Sequence, residues 1–160
     1  MNYLFINTFL AVAWASLNGE LTLQNLIGGF VVGYLMLAVS GRAIGATPYV
    51  SKVILVIRFV VYFFQQLLSA NVRVAWEVLT PGHGMQPAIV AIPLTVKSDI
   101  EILLLANIIT LTPGTLSLDV SVDKTVLYVH TMYVDDVDAF RQEIKQGFEK
   151  RILEIFNGAE

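Results

Sequence analysis

His83 and His130 are the only imidazoles in this chain, and it has no cysteine. Zinc requires three or four nitrogen, sulfur or carboxylate ligands at workable spacing. Neither histidine has an acidic pair at fixed local spacing, so no metal centre is expected. Asp135, Asp136 and Asp138 crowd together, but the glycine and distal glutamate of a calcium-binding EF-hand loop are missing, and helix capping accounts for the cluster. Asp119 and Asp123 read as the solvated side and the turn of a hairpin. Phosphate-cradling, dinucleotide, zincin and nucleophile-elbow motifs are absent, so neither an enzyme nor a cofactor is expected. The local feature that stands out is Leu105-Ala106-Asn107-Ile108-Ile109-Thr110-Leu111-Thr112-Pro113-Gly114-Thr115. There a helix ends in a threonine-rich turn. Pro113 and Gly114 fix the turn, and the hydroxyls of Thr110, Thr112 and Thr115 are suited to satisfying backbone groups at the helix end.

The elements around this turn can be read from periodicity. Ala88 to Val96 is rich in β-branched residues and predicts a strand, with Pro93 marking an edge or strand end. Ser98 and Glu101 form a capping box that opens a short, almost wholly apolar helix through Ile109. Leu116, Leu118, Val120 and Val122 alternate with Ser117, Asp119 and Ser121, the pattern of a strand with one buried and one solvated face. Asp123-Lys124 turns the chain into an antiparallel strand over Val126 to Tyr133. Asp135 or Asp136 then caps a last helix, whose Val137, Phe140, Ile144, Phe148, Ile152 and Ile155 share one face. The prediction is a small α/β domain over 87–157, in the order β-α-β-β-α.

The rest of the chain is much greasier. Of 160 residues, 56% are hydrophobic and 14% charged, and the mean hydropathy is +0.68. That is outside the range of soluble globular chains and excludes intrinsic disorder. The first eighty residues carry four basic and two acidic side chains, the last eighty six and eleven. Neither half has the dense basic face that nucleic acid demands. Over 1–41 the only acid is Glu20, which falls at an Asn18-Gly19-Glu20 turn between two apolar runs, and Thr22 is placed to cap the second. The expectation is a two-helix transmembrane hairpin. Gly29 and Gly33 form a GxxxG pair that lets a helix approach closely, a pattern that also arises by chance.

Residues 51–79 form one long helix with a polar stripe of Ser51, Arg58, Tyr62, Gln65, Ser69, Arg73 and Glu77 and an apolar opposite face. It reads as an amphipathic helix lying in the membrane interface, the alternative being a third transmembrane helix. Arg42, Lys52, Arg58 and Arg73 all follow the second span, and basic residues collect on the cytoplasmic side. The carboxy-terminal domain is therefore expected in the cytoplasm. The Pro81-Gly82-His83-Gly84 break marks the expected boundary between the halves.

LANIITLTPGT, followed by LYVH in the third strand and an acidic VDD start to the last helix, resembles the E subunit of Mrp-type multisubunit sodium/proton antiporters. The likeness runs from WASLNG through NVRVAWEVLTPG to KQGFEKRI. It implies an accessory, non-catalytic subunit of a hetero-oligomeric complex in the bacterial cytoplasmic membrane, with other antiporter subunits and the lipid bilayer as partners. It also implies a structural or assembly role for Asn107, Thr110, Thr112, Pro113, Gly114 and Thr115. A membrane-anchored ligand-binding or regulatory module is the competing expectation.

Overall fold

The computed structural model describes residues 2–80 and 85–158; the expected Pro81–Gly84 break, with His83, lies outside them. Three helices come first: α1 Tyr3–Leu17, α2 Leu23–Ile44 and α3 Thr47–Leu79. They are followed by β1 Ala88–Pro93, α4 Asp99–Leu111, β2 Thr115–Val120 and β3 Val126–Thr131. The chain ends in α5 Val137–Ile144, a π-helical segment Lys145–Glu149 and α6 Lys150–Asn157. Contacts divide it into two compact units, Met1–Ile54 and Leu55–Glu160. The division falls inside α3, so residues 55–79 group with the sheet and its helices, whereas the sequence had suggested a break at 81–84.

In the first unit, Thr22 caps α2 by accepting the Asn25 N–H at 3.3 Å. α1 and α2 pack antiparallel, with Gly29 against Ala11 and Trp14 and Gly33 against Asn7 and Leu10. A Cβ added at Gly29 would lie 2.8 Å from the Ala11 carbonyl oxygen, closer than backbone can tolerate. Asn7 is fully buried: its Nδ2 donates to the Tyr49 hydroxyl at 2.9 Å, while its Oδ1 has no hydrogen-bond partner and abuts Gly33. The Tyr3 hydroxyl donates to the Ile44 carbonyl. α1 has 15 residues, about 22 Å at 1.5 Å per residue, so it is shorter than the apolar run suggested. Among the described residues, α2 and α3 are the helices long and apolar enough to cross a membrane.

In the second unit, the three strands form an antiparallel sheet ordered β1-β3-β2. Its inner face presents Val90, Ile92, Leu127 and Val129 to Ile102, Leu105, Ile108 and Ile109 of α4 and to Ile144, Phe148 and Ile152 of the last helices. Phe59 of α3 is buried in the same core, and Tyr62 and Phe63 pack against it. The polar stripe on α3 is therefore partly an inward face.

β2 departs from its expected orientation. Leu116 and Leu118 are about half exposed and Val122 fully so, while the Ser117 hydroxyl donates to the Ala106 carbonyl of α4 at 2.9 Å. The register shifts between Ser117 and Asp119, and Val120 then packs against the core. A bulge flips side-chain direction at the cost of one residue, so a regular alternation of types does not give a regular alternation of burial. Here the register sets Ser117 opposite the inward-facing Val129, and its hydroxyl finds the Ala106 carbonyl there.

Candidate functional site: the threonine-proline turn

The turn is held from both ends of α4. At the start, Ser98 Oγ accepts the Glu101 N–H at 3.3 Å, and Glu101 Oε2 accepts the N–H groups of Lys97 and Ser98, both at 3.1 Å. This is the capping box expected from the sequence. Glu149, 2% exposed, takes the N–H groups of Thr95 and of Val96, the latter at 3.1 Å. Two buried carboxylates thus serve four consecutive backbone donors. Burial pushes the Glu101 carboxyl up, but the backbone N–H groups of Ser98 and Lys97 and the Ser98 hydroxyl outweigh it, leaving the pKa below its ordinary 4.5. Bonds from Ser121 and Thr125 likewise lower that of Asp123.

At the other end, the last carbonyls of α4 would be orphaned without side-chain donors. Thr112 Oγ1 donates to the Ile108 carbonyl at 3.0 Å, and Thr115 Oγ1 donates to that of Ile109 at 2.5 Å. Thr110 Oγ1 accepts the Ser117 N–H at 3.1 Å, tying the helix to β2. Gly114 has φ +88°, a backbone state that disfavours a Cβ, and such an atom would also lie 3.1 Å from the Tyr133 ring. Its carbonyl accepts the Met132 N–H at 2.8 Å, which fixes the turn to the end of β3.

Thr112, Pro113, Gly114 and Thr115 line a cavity of about 90 Å³ with Arg73 of α3 and Glu143 of α5 among the other walls. It has room for a few waters. The Arg73 guanidinium lies 5.7 Å from the centroid of the Tyr133 ring. Hydroxyls, a guanidinium and a carboxylate share its lining, which suits water or a small ion.

Asn107 does not join the cavity: it is exposed on α4 and makes no side-chain hydrogen bond among the described residues. Gly29 and Gly33 both lie in the α1–α2 seam. The four expected interfacial cations are dispersed. Arg42 and Lys52 belong to the first unit, Arg73 to the cavity, and Arg58 to a separate groove with Lys150 and Arg151. Asp136 caps α5 by accepting the N–H groups of Asp138 and Ala139, and Asp138 pairs with Arg141 at 2.8 Å. Glu149, Tyr62 and Gly147 carry much of the support and were not singled out by sequence for that role.

Long apolar helices joined to a small α/β domain define the class by architecture: a chain with two helices able to cross a membrane and a folded domain beside them. Residues 7–155 match the family described as Na+/H+ ion antiporter subunit, and the chain belongs to that family. It is 36% identical to the E subunit of the Na(+)/H(+) antiporter of Alkalihalophilus pseudofirmus and 36% identical to its counterpart in Bacillus subtilis. Each alignment covers 95% of this chain and 96% of the relative. Among solved structures, a chain of the membrane-bound sulfane sulfur reductase, an archaeal respiratory membrane complex, is similar with a TM-score of 0.59. That match has 29% identity and covers 96% of this chain and 98% of the other. The resemblance drawn from the LTPGT segment is thereby borne out.

Proposed function

We propose that this chain is an accessory, non-catalytic E subunit of an Mrp-type Na+/H+ antiporter in the bacterial cytoplasmic membrane, acting in assembly or stability of the complex. In this reading α1 and α2 are a transmembrane hairpin, the 51–79 part of α3 lies along the membrane surface, and the α/β domain faces the cytoplasm. The observation that carries it is unspent apolar surface. Phe5 and Phe9 of α1, Val39 of α2 and Leu68 and Trp76 of α3 are all more than two-thirds exposed, more hydrocarbon than a lone soluble chain leaves open. A transport path requires ionisable groups inside the membrane. α1 contains none apart from Tyr3, and α2 has Tyr34 and, in its last turn, Arg42.

The surface position of α3 is supported by Phe59, Tyr62 and Phe63, which pack on the α/β core and so cannot face lipid. The threonine-proline turn keeps the α/β domain in register for its partners. The test is to purify the tagged chain from its native membrane and identify what accompanies it. Co-purification of the large antiporter subunits is expected. A monodisperse chain without companions, moving sodium in otherwise empty liposomes, would overturn the proposal.

A further inference from the structure

Between α3 and α6 runs a groove of about 470 Å³ in which Arg58, Lys150 and Arg151 face a single carboxylate, Glu154. The chain as a whole has a net charge of −3, so this concentration of cations runs against its overall balance. Arg151 is immobilised: its guanidinium stacks 3.8 Å from the centroid of the Tyr62 ring, and its Nη1 donates to the carbonyls of Gln146 at 3.1 Å and Gly147 at 2.8 Å. Both carbonyls belong to the π-turn at Lys145–Glu149. Arg58 and Lys150 are exposed and form no salt bridge among the described residues.

The α3 wall also carries apolar side chains beside Arg58. Ile57 and Val61 line the groove and are themselves exposed, and Phe64, Leu68 and Val72 continue the same helical stripe. A fixed guanidinium, two free cations and an adjoining hydrocarbon stripe are the complement of a ligand with an anionic head and an apolar tail. We infer that this groove binds the phosphate of an anionic membrane phospholipid, with the acyl chains along the exposed stripe of α3. This rests on the reading of α3 as a surface helix. Basic pockets at the membrane surface recognise lipid phosphate by this combination.

The test uses the full chain in detergent and native mass spectrometry with added phosphatidylglycerol, phosphatidylcholine or inorganic phosphate. Phosphatidylglycerol adducts are expected to predominate. They should fall about tenfold in Arg58→Gln/Lys150→Gln, whose two side chains are exposed and outside the core, and stay unchanged in Lys124→Gln. Equal adducts in the double variant would overturn the site, as would inorganic phosphate that displaces the lipid at equal concentration. Loss of co-purifying subunits with lipid occupancy unchanged would make the groove a protein contact and also overturn it. A fluorophore on Leu68→Cys in the reconstituted chain, which has no other cysteine, separates the two readings. Quenching by nitroxide lipids together with unselective adducts sinks only the lipid site, whereas quenching by aqueous iodide alone sinks the surface position of α3 as well.

Discussion

Thr95, Val96, Lys97 and Ser98 present four backbone N–H groups in a row, and the chain meets them with Glu149 and Glu101 rather than with water. Glu101 was legible in the sequence because its partners are three and four residues away. Glu149 was not, because its partners are 53 and 54 residues away and nothing local marks it. Replacing Glu149 by alanine leaves two donors without their acceptor and Lys145 without the carboxylate 3.5 Å from its Nζ. Such a loss costs roughly 3 kcal/mol, and thermal melting of the full chain in detergent should show it. Glutamine at 149 keeps one acceptor oxygen and should cost less. Glu101 makes stability depend on acid. Its pKa is lowered in the fold, so its contribution is complete above its ordinary 4.5 and is lost as pH falls through the lower folded value. The melting difference between the native chain and Glu101→Gln should therefore be largest near neutrality and shrink below about pH 4.5.

Elements respond to needs that lie outside their own sequence. The 3- and 4-residue spacing of Val137, Phe140, Ile144, Phe148 and Ile152 foretold one apolar face, and Ile144, Phe148 and Ile152 are buried as it requires. It did not foretell the π-turn at Lys145–Glu149, which has its N–H-to-carbonyl bond from Lys150 to Lys145. Gly147 in that turn lies under the Tyr62 hydroxyl, so closely that any Cβ would collide with it. Gly147→Ala should cost about 1–3 kcal/mol. Tyr62→Phe removes the colliding atom and the bond from Gln66 Nε2, 2.7 Å long, and should cost about 1 kcal/mol alone. The double variant should be more stable than the two losses added together, and a double-mutant cycle on melting free energies would read that coupling. Strict additivity would mean that Tyr62 and Gly147 do not constrain each other. The threonine-proline turn was legible for a different reason: its hydroxyls act within six or seven residues, on Ile108, Ile109 and Ser117. Gly114→Ala should cost roughly 1–2 kcal/mol through its positive φ and, in the proposed role, lower recovery of assembled complex more than the transport rate of complex that forms.

On the scale of the molecule, the sequence made excess hydrocarbon plain but misassigned part of it. Leu116 and Leu118 read as core because they alternate with serine and aspartate, yet with Ile89 and Tyr128 they leave the outer face of the sheet open. β3 lies between β1 and β2, so His130 stands in register between Ile89 and Leu116 on that face. Burial was assigned by residue type, whereas the pairing register with β3 and the bulge set the actual direction. The distinction can be measured. If these leucines stabilised the fold, replacing both by serine would remove buried hydrocarbon and cost several kcal/mol. Being about half exposed and outside the packed core, they should instead change the melting free energy of the full chain by no more than about 1 kcal/mol. If the face is covered by another component of the antiporter, the same double variant should still enter the membrane and yet recover much less of that component on purification. Unchanged recovery would mean the outer face is not an assembly surface, leaving the helices to hold the complex alone. A large fall in melting free energy would instead mean that the leucines belong to the core, as their alternation in the sequence suggests.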